Sequence, residues 1–369
     1  MRHTQKINKT SLWRRIYDFY TSDLSYKDFD DLIKREAPEV YFFYSSEISK
    51  TDSSKGKISQ GLIFLKNLFL AFLKKLSPTI RIVYTASLLL FIYGYLHSYW
   101  FEATFAFVVM NFLLAFEVAY KLKIKDELVV ARNIQASLIP KVIPEFAGFD
   151  IACYYESAKE VGGDYYDFLK INSENNSNHI LIGDISGKGM AAALYMVQVR
   201  AMIHYLSEKF NSPKELLIEL NKNVNKIFQA GNFFTTNILT LNEDNKLKFL
   251  RAGHLPLYHF QSEKSDFKTI KPKGIGLGLS SNGQFENALC EESFLVQSGD
   301  ILILFTDGVT EAMNNMSNEF GDERLKKVIV KNANNSTSEI LRSIVDSIYQ
   351  FSGTTYLKDD LTLVVIKVK

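Results

Sequence analysis

Residues 179–190 read HILIGDISGKGM, an apolar run that stops at Gly183 and Asp184. Such a run is typical of a buried strand, and the Asp and Gly residues around its end predict a tight turn. The turn leaves the carboxylate of Asp184 at the edge of a sheet and lets backbone carbonyl groups approach it closely. This stretch therefore predicts a β-rich domain with a functional carboxylate at a strand end.

The same pattern recurs in three other places along the chain. Asp164 and Asp167 lie in VGGDYYDF, Asp307 in LFTDGVTEA, and Asp359 with Asp360 in KDDLTLVV. Taken singly, each of these aspartates is more often a turn residue than a functional one. Clustered carboxylates repel one another unless hard divalent cations neutralise them, and oxygen-rich sites suit Mg²⁺ or Mn²⁺. Because two such ions can activate a shared water and clamp a phosphoryl group, the pattern predicts metal-assisted phosphate hydrolysis.

The sequence after Phe149 predicts an α+β domain over residues 149–369. Strand-like runs are HILIGDI, NILTLN, KLKFLRAG, DILILFTDG and LTLVVIKV, and helical patterns cover Met190–Phe210, Pro213–Phe228, Glu323–Lys331 and Ser336–Tyr349. Strands in bursts with helices in pairs favour a layered α+β domain over regular βαβ alternation. With Cys153 and Cys290 as its two cysteines, the chain offers neither a disulfide framework nor a thiolate zinc site.

The charge of the chain is divided unevenly along its length. Residues 1–125 hold 18 Lys and Arg against 11 Asp and Glu, whereas residues 126–369 hold 25 against 30. The net negative charge of the larger part argues against nucleic-acid binding, and the basic front favours anionic lipid as a partner.

Residues 80–120 are predicted to form a two-helix transmembrane hairpin. Uncharged stretches run over 82–101 and 103–116, and each approaches the length needed to cross a bilayer. Arg81 precedes the first stretch and Lys121, Lys123 and Lys125 follow the second, while the connection between them lacks Lys and Arg. The positive-inside rule then places both ends, and the catalytic domain, in the cytoplasm at the inner (cytoplasmic) membrane. The alternative is a buried helical hairpin of a soluble domain.

Two further segments flank this hairpin. Residues 61–76 carry lysines on one helical stripe, which predicts an amphipathic helix at the lipid interface. Residues 1–60 form a cytoplasmic N-terminal region without a chemical motif.

On the other side of the hairpin, residues 121–140 carry heptad spacing at Ile124, Leu128, Ala131 and Leu138, which predicts a helical linker and a homodimer. The alternative is a helix packed on its own domain.

From Ala131 to Lys369 the chain resembles the metal-dependent PPM-type protein serine/threonine phosphatases, specifically their bacterial SpoIIE/RsbU-type branch. The resemblance rests on the order and spacing of ARNIQASLIP, VGGDYYDF, IGDISGKGMAAAL, FLRAGHLPL, GLGL, GDILILFTDGVTEAMN, FGDERL and DDLTLVVIK. It implies a four-layer α/β/β/α sandwich, in which helix pairs flank two central sheets and two divalent cations, Mn²⁺ or Mg²⁺, lie at one end.

The resemblance also implies roles for individual residues. Asp184 would bridge both metals, the backbone carbonyl of Ile185 would complete one of them, and Asp164, Asp307 and Asp359 would hold the second. Asp184 and Asp164 would thus be catalytic, with a metal-bound water as nucleophile and Asp360 next to the ligands. Four glycines would keep the turns of the site tight: Gly183, Gly187, Gly189 and Gly308.

The predicted activity is hydrolysis of phosphoserine or phosphothreonine by a membrane-anchored phosphatase. The resemblance implies a phosphorylated STAS-domain anti-sigma-factor antagonist as substrate, in a partner-switching pathway that regulates a sigma factor. The alternative is a non-catalytic adaptor that binds a phosphorylated partner through the same fold. His254 is a candidate general acid and Lys159 a candidate phosphate contact, although a turn histidine and a solvated lysine are the commoner roles.

Overall fold

The computed structural model describes residues 57–171, 178–242, 245–280, 282–314, 316–353 and 357–369. It divides into two compact units, Met1–Lys123 and Ile124–Lys369. Within the predicted N-terminal region 1–60, residues 1–56 lie outside the described residues.

Three helices account for the described part of the N-terminal unit: α1 (Lys57–Lys75), α2 (Pro78–Leu96) and α3 (Trp100–Leu138), which continues into the second unit. Pro78 occupies the first turn of α2, where the missing N–H costs no hydrogen bond. Helices α2 and α3 are both long and apolar enough to cross a membrane. The second predicted span and the predicted linker lie in one continuous helix, because no Pro or Gly interrupts residues 103–138.

Short connections hold these helices together. The guanidinium of Arg81 donates to the Leu73 carbonyl at 2.7 Å and the Lys74 carbonyl at 2.9 Å, and so satisfies the open C-terminal end of α1. Between α2 and α3, a Cβ at Gly94 would lie 2.9 Å from the backbone nitrogen of Ala103, so the glycine permits a tight hairpin.

The second unit contains ten strands and six helices after the end of α3, within the residues that the structure describes. The strands are β1 (Phe149–Glu156), β2 (Tyr165–Lys170), β3 (Asn178–Ile185), β4 (Phe234–Leu241), β5 (Lys246–Ala252), β6 (Leu257–Gln261), β7 (Asp266–Ile270), β8 (Glu291–Leu295), β9 (Ile301–Phe305) and β10 (Leu361–Val368). The helices are α4 (Met190–Ser207), α5 (Pro213–Ile227), α6 (Asn282–Ala288), α7 (Asp307–Thr310), α8 (Gly321–Lys331) and α9 (Thr337–Ser352).

The strands form two five-stranded sheets, ordered β1-β10-β9-β6-β7 and β2-β3-β4-β5-β8, with antiparallel neighbours throughout. Helices α4 and α5 pack on the second sheet, while α9 packs on β1 and β10 of the first, with α8 beside it. One apolar core includes residues of both sheets together with α4 and α5, and the other lies under α8 and α9. This arrangement confirms the predicted α/β/β/α sandwich.

The local predictions differ in accuracy. The run LTLVVIKV coincides with β10, and all four helical patterns correspond to helices whose ends differ by a few residues. The predicted strand over residues 300–308 is too long, because β9 ends at Phe305 and a short helix begins at Asp307. The predicted interfacial helix 61–76 corresponds to α1, which begins earlier and ends at Lys75.

Candidate metal centre

Asp307 and Asp359 come together where β9 ends and β10 begins. These two strands are antiparallel neighbours, so the residues after one lie beside the residues before the other. The backbones approach closely at Gly308, where an added Cβ would lie 2.0 Å from the backbone oxygen of Asp360. Only glycine permits this contact, which brings the two carboxylates from distant parts of the sequence to one place.

Asp164 and Asp184 come together in the other sheet. Asp164 directly precedes β2, which pairs antiparallel with β3, the strand that carries Asp184 near its end. A Cβ at Gly163 would lie 2.9 Å from the Ile185 carbonyl oxygen and 3.2 Å from Oδ1 of Asp184. Burial and then the charge of Asp184 raise the pKa of Asp164, which agrees with the short distance between the two segments.

Two threonine hydroxyl groups hold the Asp164 side chain. Oγ1 of Thr306 and Oγ1 of Thr362 each donate to Oδ2 of Asp164 at 2.6 Å, and all three side chains are buried. Thr306 directly follows β9 and Thr362 lies in β10, so residues of the first sheet fix a carboxylate at the start of a strand of the second. Both threonines stand in the stretches LFTDGVTEA and KDDLTLVV, and the available signal is that Thr306 adjoins Asp307 and Thr362 follows Asp359 by three residues.

The Asp360 carboxylate accepts hydrogen bonds from the backbone. The N–H groups of Ala158 and Gly163 donate to it at 2.9 and 2.7 Å. A Cβ at Gly162 would lie 2.2 Å from Oδ2 of Asp360, so this loop also needs a glycine. With both oxygens engaged by backbone donors, Asp360 holds the loop that carries Asp164.

Lys188 forms an ion pair with the carboxylate of Asp359. Nζ of Lys188 is hydrogen-bonded to Oδ2 of Asp359 and lies 3.5 Å from the Lys358 carbonyl oxygen. Lys188 stands in the GDISGKG motif, but its role in the site is not evident from the motif alone.

The carboxyl groups of the cluster raise one another's pKa. Burial first, and then the charges of Asp307, Asp359 and Asp360, raise the pKa of Asp184 to about 8. Burial and the charges of Asp184 and Asp360 raise the pKa of Asp164 well above its usual range, against the effect of the two threonine hydroxyls. Burial and the Asp359 charge also raise the pKa of Asp307. The chain therefore leaves negative charge at this place incompletely compensated.

The donor set suits hard divalent cations. It consists of the buried carboxylate of Asp164, the half-buried carboxylates of Asp184, Asp307 and Asp359, and a backbone carbonyl, all of them oxygen ligands. Among the described residues, however, no three His, Cys, Asp or Glu side chains stand ready around a common point. Hydroxyl, ammonium and backbone donors hold the carboxylates of Asp164, Asp359 and Asp360.

Helix α3 contacts the loop of this cluster through Gln135. Nε2 of Gln135 donates to the Gly162 carbonyl at 2.7 Å, and the Gly162 N–H donates to Oε1 of Gln135 at 3.0 Å. Gln135 is buried, and it occupies the heptad position between Ala131 and Leu138. A polar residue at a seam position was the available signal for this contact.

The other candidates lie apart from the cluster or lack the required chemistry. Burial lowers the pKa of His254 to about 4, so its ring, bonded to Oγ1 of Thr235 at 2.9 Å, is neutral at pH 7 and lacks the second proton that an imidazolium would donate as a general acid. Asp167 contacts His204 of α4 at 2.7 Å instead of the other aspartates. Lys159 is exposed on the loop after β1.

Comparison with known proteins decides the family. The model of the Stage II sporulation protein E (SpoIIE) family matches residues 174–369, more than half of the chain. The chain belongs to the SpoIIE family. Within it, the phosphoserine phosphatase RsbU of Bacillus subtilis (strain 168) is 32% identical over 252 residues, which make up 67% of this chain and 71% of RsbU. Protein IcfG of Synechocystis is 24% identical over 65% of this chain and 41% of its own length.

Solved structures agree with the SpoIIE assignment at the level of the fold. The SiaA-PP2C domain of Pseudomonas aeruginosa covers 68% of this chain and 99% of its own, with a TM-score of 0.58 at 20% identity. The PP2C phosphatase domain of SpoIIE from Bacillus subtilis, solved with a fragment of its regulatory domain, covers 60% of this chain and 63% of its own, with a TM-score of 0.50 at 18% identity. The predicted enzyme class, a serine/threonine protein phosphatase, is confirmed.

Proposed function

We propose that this SpoIIE-family protein is a membrane-anchored phosphatase that hydrolyses phosphoserine and phosphothreonine in proteins with the help of two divalent cations, Mn²⁺ or Mg²⁺. The observation that carries the proposal is the cluster of one buried and several half-buried aspartates that two different sheets bring together. Such a cluster has no structural advantage by itself, because burial and mutual repulsion both disfavour the charged carboxylates.

Asp164, Asp184, Asp307 and Asp359, with the carbonyl oxygen of Ile185, would hold the metals. When bound, the cations supply a water of lowered pKa and positive charge for the phosphoryl oxygens. The remaining residues position these ligands. Thr306 and Thr362 orient Asp164, and the backbone contacts of Asp360 fix the loop before β2.

The phosphatase test uses the full chain in detergent micelles and a phosphoserine peptide. We expect phosphate release that depends on added Mn²⁺ and falls by at least about 100-fold in Asp184→Asn. The matched control is Asp167→Asn, since Asp167 is also a buried strand aspartate but lies outside the cluster, and it should keep its metal dependence. Release without metal, or full activity in Asp184→Asn, would contradict the proposal.

The proposed substrate is a phosphorylated STAS-domain antagonist of an anti-sigma factor, in a partner-switching pathway. Support comes from the kinship with RsbU, named a phosphoserine phosphatase. We expect a higher kcat/KM for such a phosphoprotein than for an unrelated phosphoserine peptide. Equal values would refute this substrate while leaving the phosphatase activity intact.

The membrane anchor is proposed from the surface of α2 and α3. In their most apolar segments only 11% and 17% of residues are buried, which favours a lipid environment over the core of a soluble domain. Two spans in the inner membrane, with the catalytic domain in the cytoplasm, follow from the charges at their ends. Release of the chain from membranes by alkaline carbonate would refute this arrangement.

The predicted homodimer remains a proposal, but we propose a smaller contact surface than the full heptad seam of residues 121–140. Gln135 turns part of the heptad seam toward its own domain, and Ala131 and Leu138 are half-buried. Val130 and Ile134, one helical turn apart, stay exposed on the same helix. We therefore place the contact with a second copy at these two residues, and a monomeric mass for the full chain in micelles would refute it.

A further inference from the structure

Lys188 lies between two glycines that both adopt positive φ angles. Its neighbours Gly187 and Gly189 have φ angles of +96° and +73°, and a Cβ built on either would meet no atom within 4 Å. The Lys188 side chain is 53% exposed, although its ammonium group reaches the carboxylate of Asp359. The lysine is thus bound to the cluster at its ammonium group, while about half of its side chain is exposed to solvent.

The net charge of the cluster gives a positively charged side chain such as Lys188 a role there. The five carboxylates Asp164, Asp184, Asp307, Asp359 and Asp360 carry five negative charges when ionised, and two divalent cations would supply four positive charges. The remaining negative charge would repel the phosphate group of a substrate. Lys188 balances it, and its charge acts on Asp307 as well as on its partner Asp359.

Neighbouring lysines are less well placed for this role. Nζ of Lys358, next to Asp359 in the sequence, is directed to Sδ of Met313 at 3.4 Å. Lys159 is exposed on the loop after β1. Lys188 is joined directly to a carboxylate of the cluster and stays open to solvent, from which a phosphoprotein must approach.

We propose that Lys188 is the phosphate-binding residue of this phosphatase: its ammonium group leaves Asp359 when divalent cations bind to the carboxylates, and then contacts the phosphoryl oxygens of the substrate. The inference rests on the proposed metal-dependent function. It assigns Lys188 two successive partners, an internal carboxylate and an external phosphate, and each partner gives a separate measurement.

The first measurement is binding of Mn²⁺ to the full chain in micelles by calorimetry, without substrate. We expect Lys188→Met to bind Mn²⁺ about 3- to 10-fold more tightly than the original protein, because a cation that competes for Asp359 is removed. Weaker binding by Lys188→Met would mean that the lysine merely positions Asp359, and would overturn the proposal. Absence of Mn²⁺ binding in the original protein would contradict the proposed metal site itself, which separates the two failures.

The second measurement is catalysis at saturating Mn²⁺. We expect Lys188→Met to raise KM for a phosphoserine peptide about 10-fold or more, with a smaller change in kcat, and to weaken inhibition by inorganic phosphate by a similar factor. Lys188→Arg should restore part of the phosphate affinity, since a guanidinium also binds phosphate. The control is Lys209→Met, an exposed lysine that contacts Tyr205 at the far end of α4. Unchanged KM and unchanged phosphate inhibition in Lys188→Met would overturn the proposal.

Discussion

At Asp164 a carboxylate is held by two neutral hydroxyl groups, whereas Asp359 is held by an ammonium group. Hydroxyl groups stabilise the charged form without neutralising it, so Asp164 keeps its affinity for a cation. The same bonds connect β9 and β10 of one sheet to the residue that begins β2 of the other. The site is consequently built across the sandwich, and its geometry depends on how the two sheets pack.

Replacing Thr362 by Val tests this support. The change removes one donor from Asp164 at nearly constant volume, so the carboxylate should hold its proton more tightly and compete less well for metal. We expect the affinity for Mn²⁺ to fall about 10-fold, as measured by calorimetry on the full chain.

Thr236→Val provides the comparison for Thr362→Val. Thr236 is also buried, but its hydroxyl donates to the Ile182 carbonyl at 2.8 Å, away from Asp164. Both variants should lower the free energy of unfolding by about 1 kcal/mol, and only Thr362→Val should weaken metal binding. An equal loss of Mn²⁺ affinity in both would show that the effect is one of general stability.

Helix α3 is the element that joins the apolar N-terminal segment to the catalytic loop. Its Gln135 side chain satisfies both the N–H and the carbonyl of Gly162, as a strand neighbour would. The loop that carries Asp164 thus depends on a residue of this helix, close to its last turn.

We expect Gln135→Ala to loosen this loop. The substitution leaves a buried N–H and a buried carbonyl at Gly162 without partners, which costs about 1–3 kcal/mol for each group. Amide exchange at Gly162 and Gly163 should accelerate, as followed by mass spectrometry. Asn133→Ala, at an exposed position of the same helix, should leave the exchange unchanged. Equal protection in all three proteins would contradict a role for Gln135.

The elements also show which features a sequence can predict. LTLVVIKV predicts β10 well, because it is buried on both faces and consists mostly of apolar and β-branched residues. Strand β1 is not predicted in this way, because FDIACYYE is mostly half-buried and does not alternate regularly between apolar and polar residues. The strand-end aspartates were predicted as a group because their turn chemistry is local. Thr306, Thr362 and Gln135 were not, because their roles arise from contacts across 142, 198 and 27 residues of sequence.

At the scale of the whole catalytic unit, two buried histidines predict sensitivity to acid. Burial lowers the pKa of His179 and of His254 to about 4, against about 6.5 in an unfolded chain. Between these values the unfolded state takes up protons that the folded state does not. Stability is therefore complete above about pH 6.5 and falls as the pH decreases toward about 4, by up to about 3 kcal/mol for each histidine.

Thermal unfolding of the full chain in micelles between pH 7.5 and 4.5 tests this dependence. The melting temperature of the catalytic unit should decrease with acidity, and His179→Gln should make the decrease shallower. His179 suits the test because it contacts Thr240 on β4, and its substitution leaves the aspartate cluster untouched. A pH profile unchanged by the substitution would contradict the assignment.

The position of β10 has a consequence for how the enzyme is made. This last strand of the unit lies between β1 and β9, so it inserts into the sheet rather than adding to its edge. A ribosome that has synthesised everything before Leu361 has produced Asp164, Asp184, Asp307 and Asp359, but not the strand that aligns them. During synthesis the nascent chain therefore lacks the assembled aspartate cluster until β10 has emerged and entered the sheet.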